Sequence, residues 1–104
     1  MGHRIDFEKM PFFQSAPYSR YKAFVSGTER VRIAEFSEGF IEPDWCTQGH
    51  IGVMLEGAFS IDFDGNTERF EKGDVFLIPK GEEHRHKAVL GRGEKASVLL
   101  IETV

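Results

Sequence analysis

The chain has 104 residues, 40% hydrophobic and 29% charged, which is the composition of one globular domain and excludes a disordered tract. Its formal net charge of −4 excludes a phosphate backbone as the expected partner, and no apolar run is long enough for a membrane span or a signal peptide. Cys46 is the single cysteine and has no internal disulfide partner, so the expectation is a cytoplasmic protein with a reduced thiol.

Residues 1–20 are the least regular part and are expected to form an arm packed on the body of the fold or on a partner. No stretch has the 3.6-residue periodicity of a helix: Pro11 and Pro17 break 11–20, and Glu82–Lys87 is too short. Strand signals recur instead. Arg30–Phe36 carries Val31 and Ile33, and His50–Leu55 alternates Ile51, Val53 and Leu55 with His50, Gly52 and Met54. Phe59, Ile61 and Phe63 form a further alternating run. Asp64-Gly65-Asn66 is a hairpin signal, and Thr67–Glu71 the expected return strand. Val75–Ile78 is a continuous apolar run, read as a strand covered on both faces and stopped by Pro79. His84–Val89 alternates again, and Ser97–Ile101 reads as another covered strand. Ten phenylalanines and eleven glycines suit a β-rich core broken by turns. Short strands at this spacing indicate a sandwich or barrel.

The spacing around the middle of the chain carries more. Gly73, five residues, Pro79, one residue, Gly81, two residues and His84 reproduce the second motif of the cupin superfamily, and over residues 73–84 the chain closely resembles it. Ala88 stands where the family has an Asn. The family's first motif ends in a Glu, six residues and a Gly. If Gly57 is that glycine, His50 takes the place of the Glu, while Asp44 and Cys46 take the places of the preceding His-x-His pair. Gly39 is one residue out of register with the glycine that opens the motif. The resemblance implies an all-β fold, the cupin double-stranded β-helix (a jelly-roll-like barrel of two antiparallel sheets), over residues 21–104.

The resemblance also implies a metal site, here with an exchanged ligand set: Asp44, Cys46, His50 and His84. All four can bind a metal, and Asp44 and Cys46, two apart on a strand, share a face. A thiolate with imidazoles favours zinc, iron, nickel or copper over magnesium or calcium. His86 is expected behind or beside the ligands, with Trp45, Met54, Phe59 and Phe76 as pocket wall, and Arg85 and Lys87 facing solvent. Plainer readings stand alongside: Cys46 as a small buried apolar residue, Asp44 after Pro43 as a turn residue, His84 and His86 as hydrogen-bonded core groups. Cys46 and His50 also read as a nucleophile with its base, but no third, orienting group is identifiable. Glu82 and Glu83 read as a solvated turn.

Ile51, Val53 and Leu55 would face outward and need a cover, either the arm with Phe7, Phe12 and Phe13 or a second subunit; a two-fold homodimer is favoured. The functional expectation is a small metal-binding cupin that takes a small organic molecule, as a metal-dependent enzyme of dioxygenase or isomerase type. The alternative is a non-enzymatic ligand-binding or sensory module, with or without metal. The sequence leaves catalysis itself open.

Overall fold

The computed structural model describes residues 2–104. Among them are eight strands: β1 (Phe13–Ala16), β2 (Ser19–Ser26), β3 (Glu29–Phe36), β4 (His50–Asp62), β5 (Thr67–Glu71), β6 (Val75–Ile78), β7 (Lys87–Val89) and β8 (Ala96–Thr103). Single turns of 3-10 helix cover Phe7–Lys9 and Glu82–His84. All strand pairings are antiparallel, in the order β1-β2-β3-β8-β4. The first half of β4 also pairs with β6, and its second half pairs with β5 and β7.

β4 therefore belongs to both sheets and turns the corner of the barrel. The sequence suggests two strands here, 50–55 and 59–63, but one strand of 13 residues runs through. The register slips between Met54 and Glu56, and a bulge of this kind bends a strand without ending it. Gly57 follows at φ +75°, where a Cβ would lie 1.8 Å from the Lys95 carbonyl oxygen. Only glycine fits that corner. The hairpin at Asp64-Gly65 forms as read, with both residues at positive φ and Asp64 N–H bonded to the Asp62 carboxylate.

Alternation decides the core. On the large sheet the even residues of β3, β4, β6 and β8 face inward, and Ala34, Met54, Phe76, Ile78, Val98 and Leu100 are buried. From β4's second half Phe59 and Ile61 join them. Met54, Leu90 and Val98 are less than 2% exposed, and each such side chain contributes roughly 1.5–3 kcal/mol of burial.

Two strands expected to be covered on both faces are covered on one. Val75 and Leu77 of β6 are 66% and 69% exposed, and Ile101 of β8 is 37% exposed. A continuous apolar run marks a strand but does not say how many faces are buried. Register aligns Phe24, Val31, Ile101, Ile51 and Leu77 as one row across the outer face. The N-terminal residues leave that row open. Their β1 extends the sheet edge beside β2, Lys22 Nζ donates to the Phe7 carbonyl at 2.8 Å, and the Arg20 guanidinium lies 3.8 Å over Phe12. The strand Ser19–Ser26, which carries no clean alternation of apolar residues, is an element the sequence reading did not mark.

Candidate metal centre

The inward parity of β4 begins at His50, which is 9% exposed and pairs with Ile78 of β6. Cys46 comes to it from the segment before the strand. That segment is held against the chain entering β7 by an isolated antiparallel bridge: Cys46 N–H donates to the His86 carbonyl at 2.9 Å, and His86 N–H to the Cys46 carbonyl at 3.0 Å. The bridge sets Cys46 and His86 side by side, facing His50. His86 heads a run in which His86, Ala88 and Leu90 are buried while Arg85, Lys87 and Val89 are less so.

Cys46 Sγ and one nitrogen from each of His50 and His86 lie within 4.8 Å of one another. Cys46 Sγ is 3.6 Å from His50 Nε2, and the two imidazoles meet edge to face with centroids 5.1 Å apart. Around one zinc, bond lengths of about 2.0–2.3 Å at tetrahedral angles would separate the donors by about 3.3–3.8 Å. The cluster is already close to that spacing. Both rings are also oriented by their other nitrogen. His86 Nδ1 lies 3.1 Å from the His84 carbonyl, which only accepts, so Nδ1 carries the proton and Nε2 is free. His50 Nδ1 lies 2.5 Å from Glu102 Oε2. That oxygen is close but out of line with the Nδ1–H, so Nδ1 lacks a well-aligned acceptor and the contact is chiefly electrostatic.

Glu102 is the hub behind His50. Its side chain is 0% exposed, and its Oε1 accepts from Arg30 Nε at 2.8 Å and Arg32 Nε at 2.9 Å, while Oε2 accepts from Arg32 Nη2 at 2.9 Å. Arg30 reaches Gln48 as well. Burial pushes the Glu102 carboxyl up, but the close His50 contact and the hydrogen bonds and charge of the arginines outweigh it and hold the pKa at about 2. Burial likewise disfavours the His50 imidazolium. The hydrogen bond with Cys46 and the close, charged carboxylate of Glu102 prevail, and the His50 pKa is raised above its ordinary 6.5. A carboxylate behind an imidazole whose far nitrogen meets a thiol is the arrangement that orients histidine metal ligands. Thiol, two oriented imidazoles and a braced second shell suit zinc, iron, nickel or copper.

The cluster lies at one end of a pocket of about 160 Å³. Phe36, Phe40, Phe59 and Phe76 line its apolar part, and Arg32, Glu42 and Gln48 supply polar groups beside the cluster.

The sequence pattern of the cupin domain matches residues 39–102, more than half of the chain and all of the Cys46–His50–His86 cluster. The chain belongs to the cupin domain family. No curated protein matches this cupin significantly. Solved structures similar to it include the polyketide cyclase RemF from Streptomyces resistomycificus, with a TM-score of 0.85 and 19% identity over 99% of this chain and 80% of that one. KdgF from Halomonas sp. has a TM-score of 0.80 and 18% identity over 100% and 96% of the two chains. A sugar phosphate isomerase of the cupin superfamily from Silicibacter pomeroyi has a TM-score of 0.80 and 14% identity over 98% and 76%. At these identities the likeness is one of fold.

Within this cupin the residues singled out from sequence divide. Cys46 and His50 come together, and His86 joins them. Asp44 is exposed and outside the cluster. His84, expected at the head of an inward strand, instead ends the Glu82–His84 turn with a side chain 43% exposed, nearest Glu83 at 3.9 Å. Strand alternation restarts only after that turn, so His86 takes the inward direction. Phe59 and Phe76 line the cavity, whereas Met54 is sealed in the core away from it. Trp45 is not pocket wall: its ring lies outside, with Arg85 at 5.1 Å and Lys87 at 4.7 Å, so these two cations pack on it rather than simply facing solvent. The reading did not single out Glu102, Arg30 or Arg32. Their signal was parity, since Glu102 continues the buried series Ala96, Val98, Leu100, and the arginines continue that of Ala34 and Phe36.

Proposed function

We propose that this cupin holds a divalent transition metal (zinc, iron, nickel or copper) through Cys46, His50 and His86 and binds a small organic molecule beside it. The observation that carries the reading is three donors of the right chemistry, at chelating separation, at the end of a small pocket in the barrel. Asp44 and His84 stand outside the ligand set in this reading. A bound metal would supply Lewis acidity or oxygen activation. The protein's own part is to hold both imidazoles as Nδ1–H tautomers and to exclude bulk water with the phenylalanine wall. Three protein ligands leave a coordination position open, which supports a metal-dependent enzyme of dioxygenase or isomerase type over a non-enzymatic binding or sensory module, where a saturated site is expected.

The test is elemental analysis of tag-free protein and variants. Near-stoichiometric metal lost in Cys46→Ala and His86→Ala and retained in Asp44→Ala and His84→Ala is the expected result. Protein that stays metal-free after incubation with all four ions sinks the reading.

One observation supports a second reading. Glu102 supplies the orienting group that is not identifiable from the sequence, making Cys46, His50 and Glu102 a thiol–imidazole–carboxylate line. Alkylation of Cys46 by iodoacetamide separates the two. Stoichiometric protection by zinc favours the metal site; fast alkylation that no ion slows favours the nucleophile.

The exposed row Phe24, Ile101, Ile51 and Leu77 supports a two-fold homodimer across that face. Leu77→Lys should turn a dimer into a monomer in sedimentation equilibrium, and a wild type monomeric at all concentrations removes the proposal. The lone unpaired thiol supports a cytoplasmic setting, and the net charge of −4 a partner other than nucleic acid. Among the described residues no helix is long and apolar enough to cross a membrane.

A further inference from the structure

The cavity beside the cluster has a size, a charge and one unclaimed set of hydrogen-bond donors. About 160 Å³ is below the roughly 300–1,000 Å³ of sites for drug-sized ligands, so it favours a small molecule. Its charge comes from the buried wall. Arg30 and Arg32 both bind Glu102, so two fixed positive charges face one carboxylate and one stays uncompensated within that cluster. Arg32 lines the cavity and Arg30 does not. Arg32 uses Nε and Nη2 on Glu102, and its Nη1 makes no hydrogen bond among the described residues. Guanidinium donors half withdrawn from water are a carboxylate-recognition element. Glu42, the one acid on the cavity wall, turns an oxygen to the Ala88 N–H at 3.0 Å, on the β7 side. Apart from Gln48 and the cluster the rest of the lining is apolar, with Phe36 against Phe40 and Phe59 at centroid separations of 5.0 and 5.9 Å.

From these we infer that the ligand is a short-chain monocarboxylate, its carboxylate on Arg32 beside the Cys46–His50–His86 cluster and its aliphatic tail among the phenylalanines. This deepens the reading above and rests on the cavity being its ligand site. The metal is not needed for Arg32 to act, so the two claims separate.

The test is calorimetric titration of metal-free and zinc-treated protein with acetate, butyrate, octanoate, butyramide and 2-aminobutyrate, with the metal content of each sample measured alongside. Butyrate is expected to bind at least tenfold tighter than butyramide and to outbind octanoate. Arg32→Gln is expected to remove the preference for acid over amide. Because Arg32 also braces Glu102, a second variant leaves that network intact: Ala88→Val, which adds bulk to the cavity lining, should shift the chain-length optimum from butyrate to acetate while keeping the acid preference. Acid and amide binding equally, octanoate binding best, or Ala88→Val leaving the optimum unchanged overturns the inference. Tighter binding of 2-aminobutyrate overturns it too, by making Glu42 an ammonium partner. Butyrate binding to protein that never takes up metal would leave the inference standing and the metal reading fallen.

Discussion

His50 stands on the longest strand of the barrel, hydrogen-bonded into β6, with a buried carboxylate and two arginines behind it. His86 follows a single 3-10 turn, is tied to Cys46 by one isolated bridge, and has the His84 carbonyl behind its ring in place of a carboxylate. The same residue type is thus placed by two kinds of support. A ladder fixes a side chain by repetition, so no single bond matters greatly. A bridge fixes it by two hydrogen bonds that local opening can break. One half of the site is preorganised by the sheet and its buried charges, and the other is the half able to adjust when something binds.

The sharpest way to break this contrast is to empty the hub. Glu102→Ala leaves Arg30 and Arg32 half-buried without their shared carboxylate, and should cost about 3 kcal/mol in urea unfolding; a loss under about 1 kcal/mol would mean the brace is ornamental. The same group predicts an acid limb for metal-free protein. With the folded pKa of Glu102 at about 2 against an ordinary 4.5, the unfolded chain binds the extra proton between these values. Its contribution, at most about 3 kcal/mol, is therefore complete above about pH 4.5 and lost as pH falls toward 2. Unfolding free energies of wild type and Glu102→Gln should converge over that range, and parallel curves would refute the assignment.

Hydrogen exchange probes the contrast without mutation. The amides of Cys46 and His86 should exchange at least tenfold faster than those of Gly52 and Val53 in β4, because only a two-bond bridge protects them. Equal protection would show the bridged Cys46 and His86 segments to be as firmly built as the sheet. The smallest effect belongs to the rim. Arg85 is ion-paired with Asp64 and packed over Trp45, but both contacts are solvent-facing. Arg85→Ala should leave the melting temperature within experimental scatter, and a clear drop would place Trp45 in the bracing of the bridged segment.

Much of the fold is legible in the residues, because alternation and turn chemistry are local properties. Thr67–Glu71, Val75–Ile78, the Asp64-Gly65 hairpin, and the inward set His50, Gly52, Met54 follow from neighbours along the chain. Spacing also brought Cys46 and His50 forward as candidates. Which face of β6 and β8 is covered, and that β4 runs unbroken round a corner, depends on strands distant in sequence. Whether His84 or His86 faces inward turns on one 3-10 turn that offsets where alternation restarts, and motif spacing does not record that offset. Glu102 lies 52 residues beyond His50 in the sequence, and it becomes the partner of His50 only because β8 pairs beside β4. The sequence by itself determined the strand alphabet, the cupin resemblance and the metal-binding character of the residue types. The tertiary structure alone decided which of them meet, because antiparallel pairing converts separation along the chain into adjacency across it.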